Sequence, residues 1–571
     1  MPEPPQAART SIEAETPGGV DNENLGNTEG GQDPEREGPV EVDGAVEGGT
    51  VTVLSYAGLN TMDPSEAYYQ NTLSILQGLV TRSLTQVVYD EEDGTVLVPD
   101  LATDLGTPNE DFTEWEFTIR DGIKYENGDP VTAEDVAFGM RRSMDRTAFP
   151  EGAAFSNDYF EGGDEYKGPY TNPNAEFDGI TVDGMTLTIK MSTPFPDMAY
   201  WGTFPAMGPI PESDVSEPSK YRLHPLATGP YKFDEYVPEK SLTLVRNEEW
   251  DPATDPGRTA YPDSYEFDFQ TDSAKIDQIM LADKDEGQTT MTYDDVENEN
   301  YREFSSEHGD RLVTGGQPLT NYWAPDYRKI TNIKVRQALA WAYPYEDALL
   351  AGGFIEGVTR IHGSNLLPPG MPGREEFNPL EGHEPGETDA AEAKALLEEA
   401  GEMGYEIKWP FATDDPASVK VKNVVEAALK EAGFTPKPVA TTVADASTLR
   451  ANPEADLNVR TAGWLSDWPA ASSWIPPLME STNLKEEGLG SNYAVFNEPE
   501  IDQKIDEVLA MPIEEQAAAW NDLDEEIQTK YFPIFVTTYG GVAQMHGSKI
   551  KGFQNDPAAG MPTWKSIWVS E

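Results

Sequence analysis

The chain has no cysteine, and its 571 residues carry only 40 Lys and Arg against 103 Asp and Glu. Without cysteine there is no disulfide, no Cys-ligated zinc, no iron–sulfur cluster and no thiol nucleophile. The shortage of bases leaves a formal net charge of −63 at pH 7. That argues against general nucleic-acid binding, which needs a basic surface for phosphates, and against adsorption on anionic lipid. No apolar run approaches the roughly 18 residues of a membrane-spanning helix. The five histidines, His224, His308, His362, His383 and His546, never pair at the helical spacing of a zinc site. G-x-S-x-G, G-x-x-x-x-G-K-[ST] and G-x-G-x-x-G are all missing, which removes the hydrolase elbow, the P-loop and the dinucleotide fingerprint. Met1 leads straight into PEPPQAARTSIEAE, with neither the basic nor the apolar region of a signal peptide.

What is present suffices for a sizeable core: 38% apolar and 25% charged residues. The acidity keeps a protein soluble at the expense of self-repulsion, which salt screens, so a salt-rich habitat is the expected reason for it. Residues 1–48 hold 12 acids, 2 bases and almost no large apolar residues. Such a stretch buries too little to offset backbone ordering and is expected to be a disordered acidic tether.

Order is expected from Gly49. TVTVLSY alternates as a strand, the Asp63-Pro64 turn follows, and a helix is expected near Leu73–Leu84. DFTEWEFTIR (111–120) alternates at Phe112, Trp115, Phe117 and Ile119. Thr132 and Asp135 form a weak capping box for an amphipathic helix bearing Val136, Met140 and Met144. Further strands are expected at 185–191, 229–238, 241–247, 406–409, 437–442, 456–461 and 532–540. Helices are expected at 331–350, 388–400 (capped by Thr388, ended by Gly401), 418–432, 499–510 and 513–530. Strands alternating with helices imply an α/β protein with mixed sheets.

Four segments, in order, resemble the extracellular solute-binding proteins of the peptide/nickel (family 5) class of ABC transporters. They are WEFTIRDGIKYENGDPVTAEDVAFGMRRSMD (115–145), ATGPYKFDEYVPEKSLTLVRNEEW (227–250), IKVRQALAWAYPYEDAL (333–349) and AGWLSDWPAASSWIPPLM (462–479). One departure is Pro344-Tyr345, which stands where the family usually continues the third segment with Asp-Arg.

The resemblance implies a periplasmic-binding-protein-like fold of type II with an extra domain. Lobe I would comprise 49–76, 213–312 and 531–571, lobe II, the extra domain, 77–212, and lobe III 313–530. The lobes would close by hinge motion on a ligand between lobes I and III, a mode general to periplasmic binding proteins. It further implies an extracytoplasmic monomer, a cell-surface lipoprotein or periplasmic protein, whose export signal is absent from this sequence. Such a protein captures peptides and delivers them to permease subunits in the membrane, with no chemistry and no cofactor or metal of its own.

The same resemblance points to Asp467 as the group that holds a peptide's α-ammonium, since a charge-assisted hydrogen bond fixes the ligand's register. Gly463, Trp464 and Leu465 precede it as a strand edge able to pair with a peptide backbone. Trp468 and Trp474 could wall apolar parts of the site. Tyr68 and Tyr69 are expected as lobe I contacts, Trp323 as a contact near the lobe crossing, and Arg336 as a structural ion-pair partner. Two other readings are open: the same fold binding an oligosaccharide or another solute, favoured by 12 Trp and 24 Tyr, and an extracellular glycoside hydrolase with two cleft carboxylates.

Overall fold

A computed structural model describes residues 31–90, 94–214, 217–485 and 488–571. The α/β architecture rests on three larger mixed or antiparallel sheets. The first has five strands in the order Thr290–Thr292, Thr50–Leu54, Ser264–Asp268, Ser241–Arg246, Tyr231–Val237. Thr50–Leu54 lies parallel to both its neighbours, and the last two strands form the expected hairpin. The second sheet is built from Thr107–Pro108, Glu114–Thr118, Thr186–Lys190 and Ile180–Asp183. Of the four apolar positions expected to alternate, Trp115, Phe117 and Ile119 are buried, whereas Phe112 precedes the strand Glu114–Thr118 in a left-handed turn (φ 55°) and is only partly buried. Helix Ala133–Ser143 follows, with both halves of the Thr132/Asp135 capping box in place.

The third sheet runs Arg360–His362, Phe535–Met545, Leu312–Pro325, Val459–Leu465. Its two central strands, 11 and 14 residues long, are antiparallel and reach beyond it. Trp323 faces Phe535 at one end of their ladder and Leu312 faces Met545 at the other. The second end joins the five-stranded sheet, through a bridge from Met291 to His546 and a bond from Val296 N to Ala543 O. One ribbon therefore belongs to both bodies. Its register shifts between Gln317 and Thr320, beside Gly315, Gly316, Gly540 and Gly541. The backbones approach so closely there that a Cβ on Gly541 would meet Val358 O at 2.0 Å.

The structure corrects several expectations. Residues 535–539 pair within the third sheet rather than belonging wholly to lobe I, and the strand runs on to Met545 because two glycines continue the ladder. Part of the expected tether is docked: Gly31–Gln32 pairs in parallel with Val96 and Leu97, and Val42 N donates to the Tyr261 hydroxyl at 2.9 Å. Backbone hydrogen bonds, which composition does not register, hold it there. Residues 1–30 lie outside the described residues. The first helix is Gln70–Ile75 continued by a π-helical turn, Leu76–Val80, and Leu84 lies beyond it. The third resembling segment breaks into Ile333–Ala342 and Tyr345–Ala351 at Pro344, which cannot continue a helix. Asp389, not Thr388, caps helix Ala390–Ala400, because Thr388 Oγ1 donates instead to Tyr343 O. Arg336 makes no ion pair among the described residues; it donates to the carbonyls of Ile330, Tyr531 and Phe532.

Buried ion pairs pin the chain crossings. Arg82 Nε lies 2.6 Å from Asp100, and Arg258 bridges Asp100 at 2.9 Å and Asp255 at 3.1 Å. Arg258 also donates to Gln77 O in the π-helical turn. Asp63 and Arg142, both fully buried, pair at 2.5 Å and tie the Asp63-Pro64 turn to helix Ala133–Ser143.

Candidate ligand-binding site

Val459–Leu465 is the edge strand of its sheet and pairs antiparallel with 319–325. Gly463 occupies an exposed position where a Cβ would meet the Asn321 side-chain Oδ1 across the strands at 2.8 Å, so a larger residue there would have to displace that side chain. After Leu465 the chain leaves the sheet. Ser466 N still reaches Pro318 O, and its hydroxyl binds Trp468 O and Ser473 Oγ, forming a tight corner. That corner projects Asp467 and Trp468 toward the body built on the other two sheets.

Asp467 meets Tyr68 there. The phenol donates to Asp467 Oδ1 at 2.7 Å and is the carboxylate's only hydrogen-bond partner among the described residues. Among the described residues no cation balances it. Asp467 keeps some exposure because it lines a cavity, but surrounding protein desolvates the carboxylate and pushes its pKa up to about 7, against the pull of the Tyr68 bond. Burial, then the facing carboxylate, drives the Tyr68 phenol well above its ordinary value.

The cavity measures about 130 Å³ and is walled by both bodies: Gln70, Gln77 and Thr203 on one side, Asp467, Trp468 and Pro469 on the other, and Asp556 and Trp564 from the C-terminal segment. Asp556 is a second carboxylate on this wall. Burial raises its pKa to about 6, although Ala558 N donates to it and Lys565 attracts it. It went unrecognised in the sequence because Asn555-Asp556-Pro557 reads as a turn. Gly78 in the π-helical turn accepts the Trp564 ring so closely that a Cβ would sit 2.2 Å from Cδ1.

The aromatic candidates separate. Trp468 is buried against Phe155 and Phe195 of the opposite body, with ring centroids 5.0 and 6.3 Å away, and lines the cavity. Beside it Asp197, hydrogen-bonded to Ser472 and Trp468, is raised to about 6 by burial. Trp464 donates to Ser473 O, and Trp474 is wholly buried in the core under the third sheet. Trp323 packs with Tyr343, Trp409 and Phe535 and, with Gly463, lines a separate cavity of about 390 Å³. Tyr69 is exposed at the N-cap of helix Gln70–Ile75; neither it nor Leu465 lines the Asp467 cavity.

Two bodies sharing a ribbon, with an uncompensated acid at their junction, define the architecture of a two-lobed solute-binding protein. Residues 96–486 match the family described as bacterial extracellular solute-binding proteins, family 5 Middle, and the chain belongs to that family. Among curated proteins it is 22% identical to the periplasmic oligopeptide-binding protein OppA of Salmonella typhimurium over 443 residues, 73% of this chain and 76% of that one. It is 28% identical to the dipeptide-binding protein DppE of Bacillus subtilis over 153 residues, 26% of this chain and 27% of that one. Among solved structures, clavulanic acid biosynthesis oligopeptide binding protein 2 superimposes with a TM-score of 0.84 at 21% identity, covering 96% of this chain and 99% of that one. The periplasmic binding protein DppA of Helicobacter pylori, in complex with the peptide STSA, gives 0.69 at 17% identity, covering 92% and 99%. These structural likenesses establish the fold.

Proposed function

We propose that the chain is the extracytoplasmic substrate-binding component of an ABC importer, capturing peptides at the junction of its two bodies and delivering them to a membrane permease. Lobes I and II carry the first two sheets, lobe III carries the third, and the boundary runs through the ribbon of 312–325 and 535–545. The observation that carries this reading is Asp467: a desolvated carboxylate in an inter-body cavity, with a phenol as its only partner among the described residues. An α-ammonium supplies what it lacks, and a charge-assisted bond there sets the ligand's register. The edge strand Val459–Leu465 leads to it, so an extended backbone can pair alongside. Names of relatives agree: oligopeptide- and dipeptide-binding proteins recur among them.

The oligosaccharide reading needs free aromatic faces. Trp323, Trp468 and Trp474 are buried against other side chains, which disfavours stacking on a sugar ring. Native mass spectrometry of the purified full chain tests the choice. A ladder of peptide masses is expected; a ladder of hexose increments would reject the peptide reading.

A further inference from the structure

A second cavity, of about 360 Å³, lies in the same inter-body junction and shares Met561 with the Asp467 cavity. Its walls come from both bodies: Asp294, Asp295 and Glu297 after strand Thr290–Thr292, Gln317 and Gln544 from the ribbon, and Gly353 after helix Tyr345–Ala351. None of its three acids has an ion-pair partner among the described residues. Asp294 accepts from Tyr56 N at 2.8 Å and Asp295 from Ala543 N at 2.7 Å. Arg360 attracts Asp295 but is engaged by Thr359 O and the Phe354 ring.

Gln544 supplies an independent observation. It is 2% exposed, its Nε2 donates to Tyr293 O, and its Oε1 is buried with no donor among the described residues. A buried acceptor without a partner is unfavourable, and a donor entering the cavity beside it would relieve that. Tyr56, 59% exposed, stands beside the acids with its ring open, as a cation-binding aromatic does. The donors required are several, positively charged and organic: among the described residues no group of three or more acids or histidines is arranged to hold a metal ion.

We infer that the cavity of Asp294, Asp295, Glu297 and Gln544 is a subsite for an ammonium or guanidinium group, so that the protein selects ligands bearing a cationic side chain. The inference rests on the peptide reading for the identity of the carrier, but not for the chemistry of the subsite. A Lys or Arg side chain and a free amine such as agmatine present the same group.

Calorimetry on the full chain with tetraalanine peptides carrying Lys or norleucine at positions two, three or four tests this. Salt at about 0.5 M screens the protein's overall field. At one position Lys should bind at least about tenfold more tightly than norleucine. The Asp294→Asn/Asp295→Asn variant should bring that ratio within about twofold while leaving norleucine peptides unaffected; it removes only two of the net 63 negative charges. If it does not fold, Glu297→Gln serves as the second variant, with a smaller loss of the ratio expected. Equal affinities in the wild type, or a preference that survives the substitutions, would overturn the subsite. Ligand-detected NMR with agmatine separates the two readings. Binding of agmatine that the variant loses, with no peptide bound, would sink the peptide reading and keep the subsite. No binding of either would overturn the subsite.

Discussion

Tyr68 Oη donates to Asp467 Oδ1 at 2.7 Å across 399 residues of sequence. The phenol follows strand Thr50–Leu54 of the five-stranded sheet, and the carboxylate lies two residues past the end of the edge strand Val459–Leu465 of the other body. The bond therefore joins one body to the other at a carboxylate that has no cationic partner among the described residues. A neutral donor keeps Asp467 partnered but leaves its pKa near 7, the state expected of a receptor awaiting a cation.

Asp467→Asn should separate stability from binding. The amide removes a carboxylate that is costly to ionise in its folded setting, so the ligand-free protein should melt about 1–3 °C higher at pH 8. Peptide affinity should fall about 10- to 100-fold through loss of the charge-assisted bond. Thermal unfolding and calorimetry on the same preparations check both outcomes.

The pH dependence follows from the direction of the shifts. Asp467 near 7, Asp524 near 7 (buried on helix Ile513–Glu526, where it accepts from Leu367 N), and Asp197 and Asp556 near 6 all sit above the ordinary 3.8, each raised by burial. Between these limits the folded chain holds protons that the unfolded chain has released, so their contribution to stability declines as pH rises from about 4 to about 7. The melting temperature of Asp467→Asn should vary less over that window than that of the wild type. Binding of an α-ammonium stabilises the carboxylate, so peptide binding at pH 6 should release nearly one proton. Calorimetry in two buffers of different ionisation enthalpy measures it.

Asp100→Ala should be among the most damaging substitutions away from the cavity. It strips Arg82 and Arg258 of a shared buried partner, at a cost of about 3–5 kcal/mol. Arg258 holds Gln77 O in the π-helical turn that walls the cavity, so ligand affinity should fall as well. Denaturant unfolding with and without peptide reads both effects.

Gly541→Ala tests the ribbon. A Cβ at 2.0 Å from Val358 O cannot be accommodated without moving backbone. The expected cost is about 1–3 kcal/mol, as for other overpacked sites, measured by equilibrium unfolding.

Much of this architecture is legible in the chain. The alternation of Trp115, Phe117 and Ile119, the Thr132/Asp135 box and the Gly401 stop report local preferences that tertiary packing leaves intact. The misses occur where distant partners decide. The π-helical turn at 76–80 is shaped by Trp564, Arg258 and the strand beneath it, which no local pattern displays. Phe535–Met545 outruns its expected end because Gly541, normally a breaker, fits against the close backbone of Val358, and Gly540 against the side chains of Gln317 and Leu319. Residues 31–48 dock through main-chain bonds. At the candidate site, the family motif points to Asp467, but its partnership with Tyr68 and the nearness of Asp556 exist only in three dimensions.

The most direct test compares a tripeptide with its N-acetylated form, by calorimetry at pH 7.5, on the wild type and on Asp467→Asn. Acetylation should weaken binding to the wild type at least about tenfold and make no difference to the variant. Equal affinity of both peptides for the wild type would contradict the account, because Asp467 would then not be what meets the ligand's positive end.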